Sequence, residues 1–159
     1  MKTYDLIVIG TGGASIVADA AIAKGKKVAI IEKGKFGGTC LTRGCIPTKV
    51  MVTVADAVRE IEELPKIGVQ VQPATINWDL MSKRVWQKID ESKGVEAYYD
   101  KFDNVDLYRG AATFVKDKVL TVTMNSGEVT EEITAPIIVL GVGGHTKINP
   151  LKGWKKLAI

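Results

Sequence analysis

The sequence predicts an α/β protein of three layers, built on a parallel sheet that carries an antiparallel β flap. Three observations predict it. Short β-branched apolar runs alternate with helix-like segments in the N-terminal part; a glycine-rich turn joins the first such run to the first helical segment; and from Val105 onward short strand-like runs are separated by hairpin-length turns.

Tyr4-Asp5-Leu6-Ile7-Val8-Ile9 is too short for most helices and rich in β-branched residues, so it predicts a buried parallel strand. Gly10-Thr11-Gly12-Gly13-Ala14-Ser15 follows as a tight turn, and the alanine-rich stretch from Ile16 to Lys24 predicts a helix that stops at Gly25. Lys27-Val28-Ala29-Ile30-Ile31 predicts a second parallel strand ending at Glu32, 20 residues after Gly12. Gly10 permits the sharp turn, Gly12 lets backbone amides approach a pyrophosphate, the helix N-terminus adds a favourable dipole, and Glu32 stands where an acid binds a ribose hydroxyl. Strand, glycine turn, helix and acid together predict dinucleotide binding. Ser15 occupies the place of the third glycine of this pattern, which predicts a helix held slightly off the strand.

The chain's two cysteines follow in Gly37-Gly38-Thr39-Cys40-Leu41-Thr42-Arg43-Gly44-Cys45-Ile46-Pro47-Thr48-Lys49. They open a predicted helix that runs through Lys49 toward Leu64, with Met51, Val54, Val58, Ile61 and Leu64 as a core stripe and Pro65 as its end. The helix dipole there favours a thiolate. A thiol pKa lowered from about 8.5 toward 7, roughly 2 kcal/mol, exceeds what a surface dipole gives and predicts a cationic partner in Arg43 or Lys49.

Lys66 to Asn77 reads as an irregular excursion, and a second long helix is predicted from Trp78 through Tyr99, with Trp78, Met81, Val85, Ile89 and Ser92 on one face. Strands are then predicted at Val105 to Tyr108, Ala112 to Val115, Val119 to Met124 and Val129 to Ile133; the first is parallel to the sheet and the next three form the flap. Ile137-Ile138-Val139-Leu140 returns as a buried strand and delivers Gly141-Val142-Gly143-Gly144 at its carboxyl end, the side on which ligands bind in open α/β sheets. A plain glycine exit turn is the alternative reading of that last run.

Composition bounds the remainder. With 159 residues, 46% hydrophobic, 25% charged and a net charge of +4, the chain reads as one globular domain without a membrane-spanning run, and a cytoplasmic setting is expected. Scattered lysines mixed with acids, without a basic stripe, speak against nucleic acid. In a reducing compartment a close cysteine pair is catalytic or metal-binding more often than structural. Closing so short a loop contributes only about 2 kcal/mol, and a zinc site needs four ligands where only His145 remains to join two thiols, so no metal is expected. His145 itself reads as an exposed loop side chain.

Gly37-Gly38-Thr39-Cys40, Gly44-Cys45-Ile46-Pro47-Thr48-Lys49 and the N-terminal turn resemble the class I pyridine nucleotide-disulfide oxidoreductases, among them most closely the dihydrolipoamide dehydrogenases, with the mercuric reductases close behind. The resemblance implies a Rossmann-like FAD/NAD(P)-binding fold and FAD as cofactor. It implies that Cys40 is the interchange thiol that attacks a substrate disulfide, that Cys45 is the charge-transfer thiol against the isoalloxazine ring, and that Lys49 sits near flavin N5. It extends the cofactor seat over Gly10, Gly12, Gly13, Ala14, Ser15, Glu32, Lys33, Gly38, Thr39, Gly44, Ala111, Gly141 and Gly143. Family members typically carry Ala-Thr-Gly at the last of these turns, so Val142 lacks a hydroxyl present there.

On this resemblance residues 1–149 are the first portion of an FAD-binding domain and 150–159 the start of a connection to a NAD-binding domain that the chain does not contain, so NAD(P) is expected only in a full-length relative. The chain then reads as a fragment that is not turnover-competent alone. Its partner is a disulfide or dithiol substrate of the dihydrolipoamide kind, and a homodimer is the family's habit. A mercury-reducing relative and a non-catalytic flavin-binding remnant are the alternatives; the lack of further cysteines weighs against mercury.

Overall fold

A computed structural model describes residues 1–144, so His145 and the predicted connection at 150–159 lie outside the described residues. In chain order the elements are β1 (Lys2–Thr3), β2 (Leu6–Ile9), α1 (Ser15–Ile22), β3 (Val28–Glu32), α2 (Gly38–Thr42), α3 (Cys45–Glu63), a 3-10 turn at Leu64–Ile67, α4 (Trp78–Asp90), α5 (Ser92–Tyr99), β4 (Val105–Lys116), β5 (Val119–Met124), β6 (Ile133–Thr134) and β7 (Ile137–Leu140). Among the described residues the strands run in the order β1-β6-β5-β4-β3-β2-β7. The β2–β3, β2–β7 and β3–β4 pairs are parallel, whereas β4–β5 and β5–β6 are antiparallel.

The layers follow from the two-residue period of the central strands. Ile7, Ala29 and Ile31 point to one face, where they are buried with Leu120, Val122 and Ile133 of the flap. Leu6, Val8, Val28 and Ile30 point to the other, where Ala18 and Ile22 of α1, Phe36 and Tyr99 of α5 cover them. Strands buried on both faces need continuous apolar runs, which is why β2 and β3 read as such in the sequence. The expected α/β architecture, a mostly parallel sheet with an antiparallel flap, is therefore observed.

Six expectations are corrected. The helix predicted from the cysteines onward is two helices: Arg43 ends α2, and Gly44, with φ −123° and ψ −110°, breaks the helical path before α3 begins at Cys45. The α3 stripe is not core. Met51 is exposed, Val54, Val58, Ile61 and Leu64 are half-buried, and Pro47 is the buried residue of that helix, because α3 packs on α4 outside both core clusters. The helix predicted over Trp78 to Tyr99 is likewise two, interrupted at Glu91.

The strands predicted at Val105 to Tyr108 and Ala112 to Val115 are one strand, β4, whose first half pairs with β3 and whose second half pairs with β5. Of the run from Val129 to Ile133, Val129 makes only an isolated bridge to Thr123 and β6 begins at Ile133. Finally, β7 is not buried: among the described residues it pairs with β2 alone, and Ile137 and Leu140 are 59% and 61% exposed.

Candidate functional site

The carboxyl ends of β2, β3 and β7 open on one crevice of about 570 Å³. Its walls hold most of the predicted seat: Gly10, Gly12 and Gly13 of the first turn, Glu32 and Lys33 at the end of β3, Gly38, Thr39 and Cys40 from α2, Ala111 from β4, and Gly141 and Gly143 beyond β7. Ala14, Ser15, Gly44, Cys45 and Lys49, expected at the site, are not among the residues that line it. Thr11, Gly37, Arg43, Ala112 and Val142 also line the crevice, and the sequence had singled out none of them as part of the seat.

Backbone proximity builds the crevice. Gly10 has φ +97°, and a Cβ there would overlap the carbonyl oxygen of Gly141. Gly38 has φ +65°, and a Cβ there would overlap the Cα of Gly12, so the glycine turn and the start of α2 touch main chain to main chain. Ser15, expected to hold α1 off the strand, opens α1, and the close approach usually granted by a third glycine falls instead between Ala14 and Gly141.

Polar groups then pin the turn. The Glu32 carboxylate accepts from the Thr11 backbone N–H (3.0 Å) and hydroxyl (2.8 Å) through Oε2 and from the Gly34 N–H (2.8 Å) through Oε1. The Thr11 hydroxyl in turn accepts from the Gly37 N–H at 3.0 Å. No side chain caps α1 and no acid occupies its first turn, which leaves the positive end of the helix to face an anion. Behind α1, the buried Tyr99 hydroxyl donates to Asp19 at 2.9 Å. Burial first, then that carboxylate, raise the Tyr99 pKa above the usual phenol range and keep it a donor.

The two thiols are free and exposed. Cys40 lies in α2 and Cys45 at the first position of α3, and the break at Arg43-Gly44 sets them close enough that Cys45 is the main influence on the Cys40 thiol. The expected lowering of the thiol pKa is corrected for Cys40. The neighbouring Cys45 thiol raises its pKa, desolvation adds to this, and neither Arg43 nor Lys49 acts on it. Lys49 is exposed, one turn beyond Cys45 on the same face of α3. Among the described residues no group of three or more His, Cys, Asp or Glu side chains is placed to hold a metal ion, and no helix is long and apolar enough to cross a membrane.

Fold and crevice define an α/β protein with a mostly parallel sheet and a cysteine pair beside the glycine turn. The chain belongs to the pyridine nucleotide-disulphide oxidoreductase family, whose pattern matches residues 4–159. It is 34% identical over 151 residues to a mycothione reductase of Mycobacterium tuberculosis, covering 94% of this chain and 33% of the relative. It is 33% identical over 147 residues to a glutathione reductase of Schizosaccharomyces pombe, covering 91% and 32% respectively. A dihydrolipoyl dehydrogenase of Bacillus subtilis, 26% identical over 155 residues (92% of this chain, 33% of the relative), and a mercuric reductase of Lysinibacillus sphaericus, 29% identical over 157 residues (97% and 28%), are similar as well. The chain thus spans about a third of the length of the curated relatives it matches. Its fold is shared with the HOCl-induced flavoprotein disulfide reductase RclA of Escherichia coli in its Cu(II) complex, with a TM-score of 0.77 at 24% identity over 95% of this chain and 31% of that one.

Proposed function

We propose that the chain is the flavin-side portion of an FAD-dependent disulfide oxidoreductase, in which electrons pass between the flavin and the Cys40/Cys45 pair. The single observation that carries this reading is a thiol couple whose first member lines the same crevice as the glycine turn and Glu32. The residues present fit the cofactor. Gly12 and Gly38 leave main chain on the crevice surface, a Cβ on Gly13 would meet nothing, and the uncapped end of α1 suits a pyrophosphate. The Glu32 oxygens, each with acceptor capacity left, suit ribose hydroxyls. Bound there, FAD supplies a two-electron donor and acceptor.

The chain's own residues carry the sulfur chemistry. The Cys40 thiolate attacks one sulfur of a substrate disulfide and forms a mixed disulfide, and the displaced substrate sulfur takes a proton. The Cys45 thiolate then attacks the Cys40 sulfur, closes the intramolecular disulfide and releases the second substrate thiol, so the substrate gains two electrons and two protons and the cysteine pair loses them. Run backward, the same steps oxidise a dithiol. We take the substrate to be a small disulfide or dithiol of the dihydrolipoamide kind; the likeness to mycothione and glutathione reductases supports small-thiol chemistry in general.

The test is to purify the chain with excess FAD and follow its absorbance through a dithionite titration. The reading expects retained flavin and a long-wavelength absorbance band on partial reduction that a Cys45→Ala variant lacks. A colourless chain with both thiols alkylating like free cysteine overturns it.

A further inference from the structure

Thr11, between the two turn glycines, is 3% exposed and uses its hydroxyl in both directions: it donates to Glu32 Oε2 at 2.8 Å and accepts from the Gly37 N–H at 3.0 Å. Gly37 is the residue from which α2 starts, and α2 carries Cys40. Glu32 is tied to the same residue a second time through the Thr11 N–H. One small side chain therefore joins the carboxylate at the end of β3 to the segment that presents the first thiol. The backbone contact of Gly38 on Gly12 lies immediately beside this bridge and depends on the same alignment.

We propose that Thr11 is a positioning residue that couples the nucleotide seat to the dithiol: it orients the Glu32 carboxylate toward the crevice and fixes the start of α2, so that the seat and Cys40 move as one unit. The proposal rests on the reading above for the identity of the nucleotide, but its link to Cys40 is a property of the chain without cofactor. No other side-chain donor reaches Glu32 among the described residues, so valine, which keeps the shape and removes the hydroxyl, cuts both arms of the bridge at once. Serine keeps both arms.

Two measurements on the purified chain test this. The first is the rate of Cys40 alkylation by iodoacetamide without FAD, site-resolved by mass spectrometry. Thr11→Val is expected to raise this rate about three- to tenfold, because a loosened α2 draws Cys40 away from Cys45, and Thr11→Ser is expected to restore the wild-type rate. The second is FAD affinity by flavin fluorescence quenching, which is expected to fall about tenfold in Thr11→Val and to recover in Thr11→Ser. Glu32→Gln, which weakens one arm and leaves Gly37 held, is expected to lower FAD affinity with less than a twofold change in Cys40 alkylation; it keeps the test open where Thr11→Val fails to fold.

A folded Thr11→Val chain with unchanged alkylation and unchanged FAD affinity overturns the proposal. So does a Thr11→Ser chain that behaves like Thr11→Val, which would show that the methyl group's packing matters instead of the hydroxyl. Failure of the wild-type chain to take up FAD overturns the reading of the seat and with it the nucleotide half, while the alkylation arm still decides the link between Thr11 and Cys40.

Discussion

At the scale of single residues, hydrogen-bonding capacity and a missing Cβ decide the site. Replacing Thr11 by valine leaves the Gly37 N–H without its acceptor and takes from Glu32 its hydroxyl donor while the Thr11 and Gly34 N–H groups still reach it, a cost of about 1–3 kcal/mol that urea unfolding measures directly. Cys45→Ala removes the main cause that raises the Cys40 pKa, so the midpoint of the Cys40 alkylation-rate profile against pH moves down in that variant. An unmoved midpoint would mean that Cys45 does not touch Cys40. The turn glycines, Glu32 and Cys40, which the structure brings to one crevice, stood out in the sequence through residue type and spacing. Thr11 was not, since a hydroxyl between two glycines carries no signal until the chain brings Glu32 and Gly37 to it; an acid 21 residues on was the hint available. The direction of the Cys40 shift was missed for a related reason. A dipole can be read from a helix start, whereas a neighbouring thiol that opposes it depends on the break at Gly44.

Elements were legible where both faces are buried and blurred where they are not. β2 and β3 lie between helices and flap, so their apolar runs marked them plainly. β7 shows an equally apolar run, yet among the described residues it lies at the sheet edge and is half covered, and composition alone does not distinguish a strand with two neighbours from one with a single neighbour. Arg109-Gly110 broke the apolar pattern of β4 without breaking its hydrogen bonding, since the strand exchanges β3 for β5 as its partner at that point. Two predictions belong here. Asn77 accepts from the Leu80 N–H at 3.0 Å and starts α4, so Asn77→Ala is expected to cost about 1 kcal/mol in urea unfolding.

The other concerns the pairing of Lys2, beside β6, with Asp106 of β4 at 3.0 Å. Burial pushes the Asp106 carboxyl up, but the Lys2 ammonium and the Tyr4 hydroxyl outweigh it and leave the pKa below its ordinary 3.8. A lowered folded pKa contributes stability that is full above the unfolded value and is lost as pH falls through the folded one. Thermal unfolding followed from about pH 6 down to about pH 3 is therefore expected to show a loss below about pH 4 that is smaller in Asp106→Asn.

For the whole molecule, a nucleotide that binds the folded chain and not the unfolded one stabilises it by mass action. FAD at a hundredfold its dissociation constant adds about 2.7 kcal/mol, which for a domain of this size raises the melting temperature by about 5–10 °C. Adenosine alone, lacking the pyrophosphate that the end of α1 would hold, is expected to give a smaller rise in the same scan. No rise with FAD would remove the seat from the account of this crevice. The architecture as a whole was read correctly because a doubly covered sheet and a hairpin flap impose different sequence rhythms. The α3 face was misjudged because amphipathicity tells which side of a helix is apolar and not what, if anything, lies against it.

β4 is a single twelve-residue strand, and its far end is the turn at Asp117-Lys118 while its middle, at Ala111 and Ala112, forms part of the crevice wall. The hairpin and the crevice wall are therefore parts of one strand, with no loop between Ala112 and the turn.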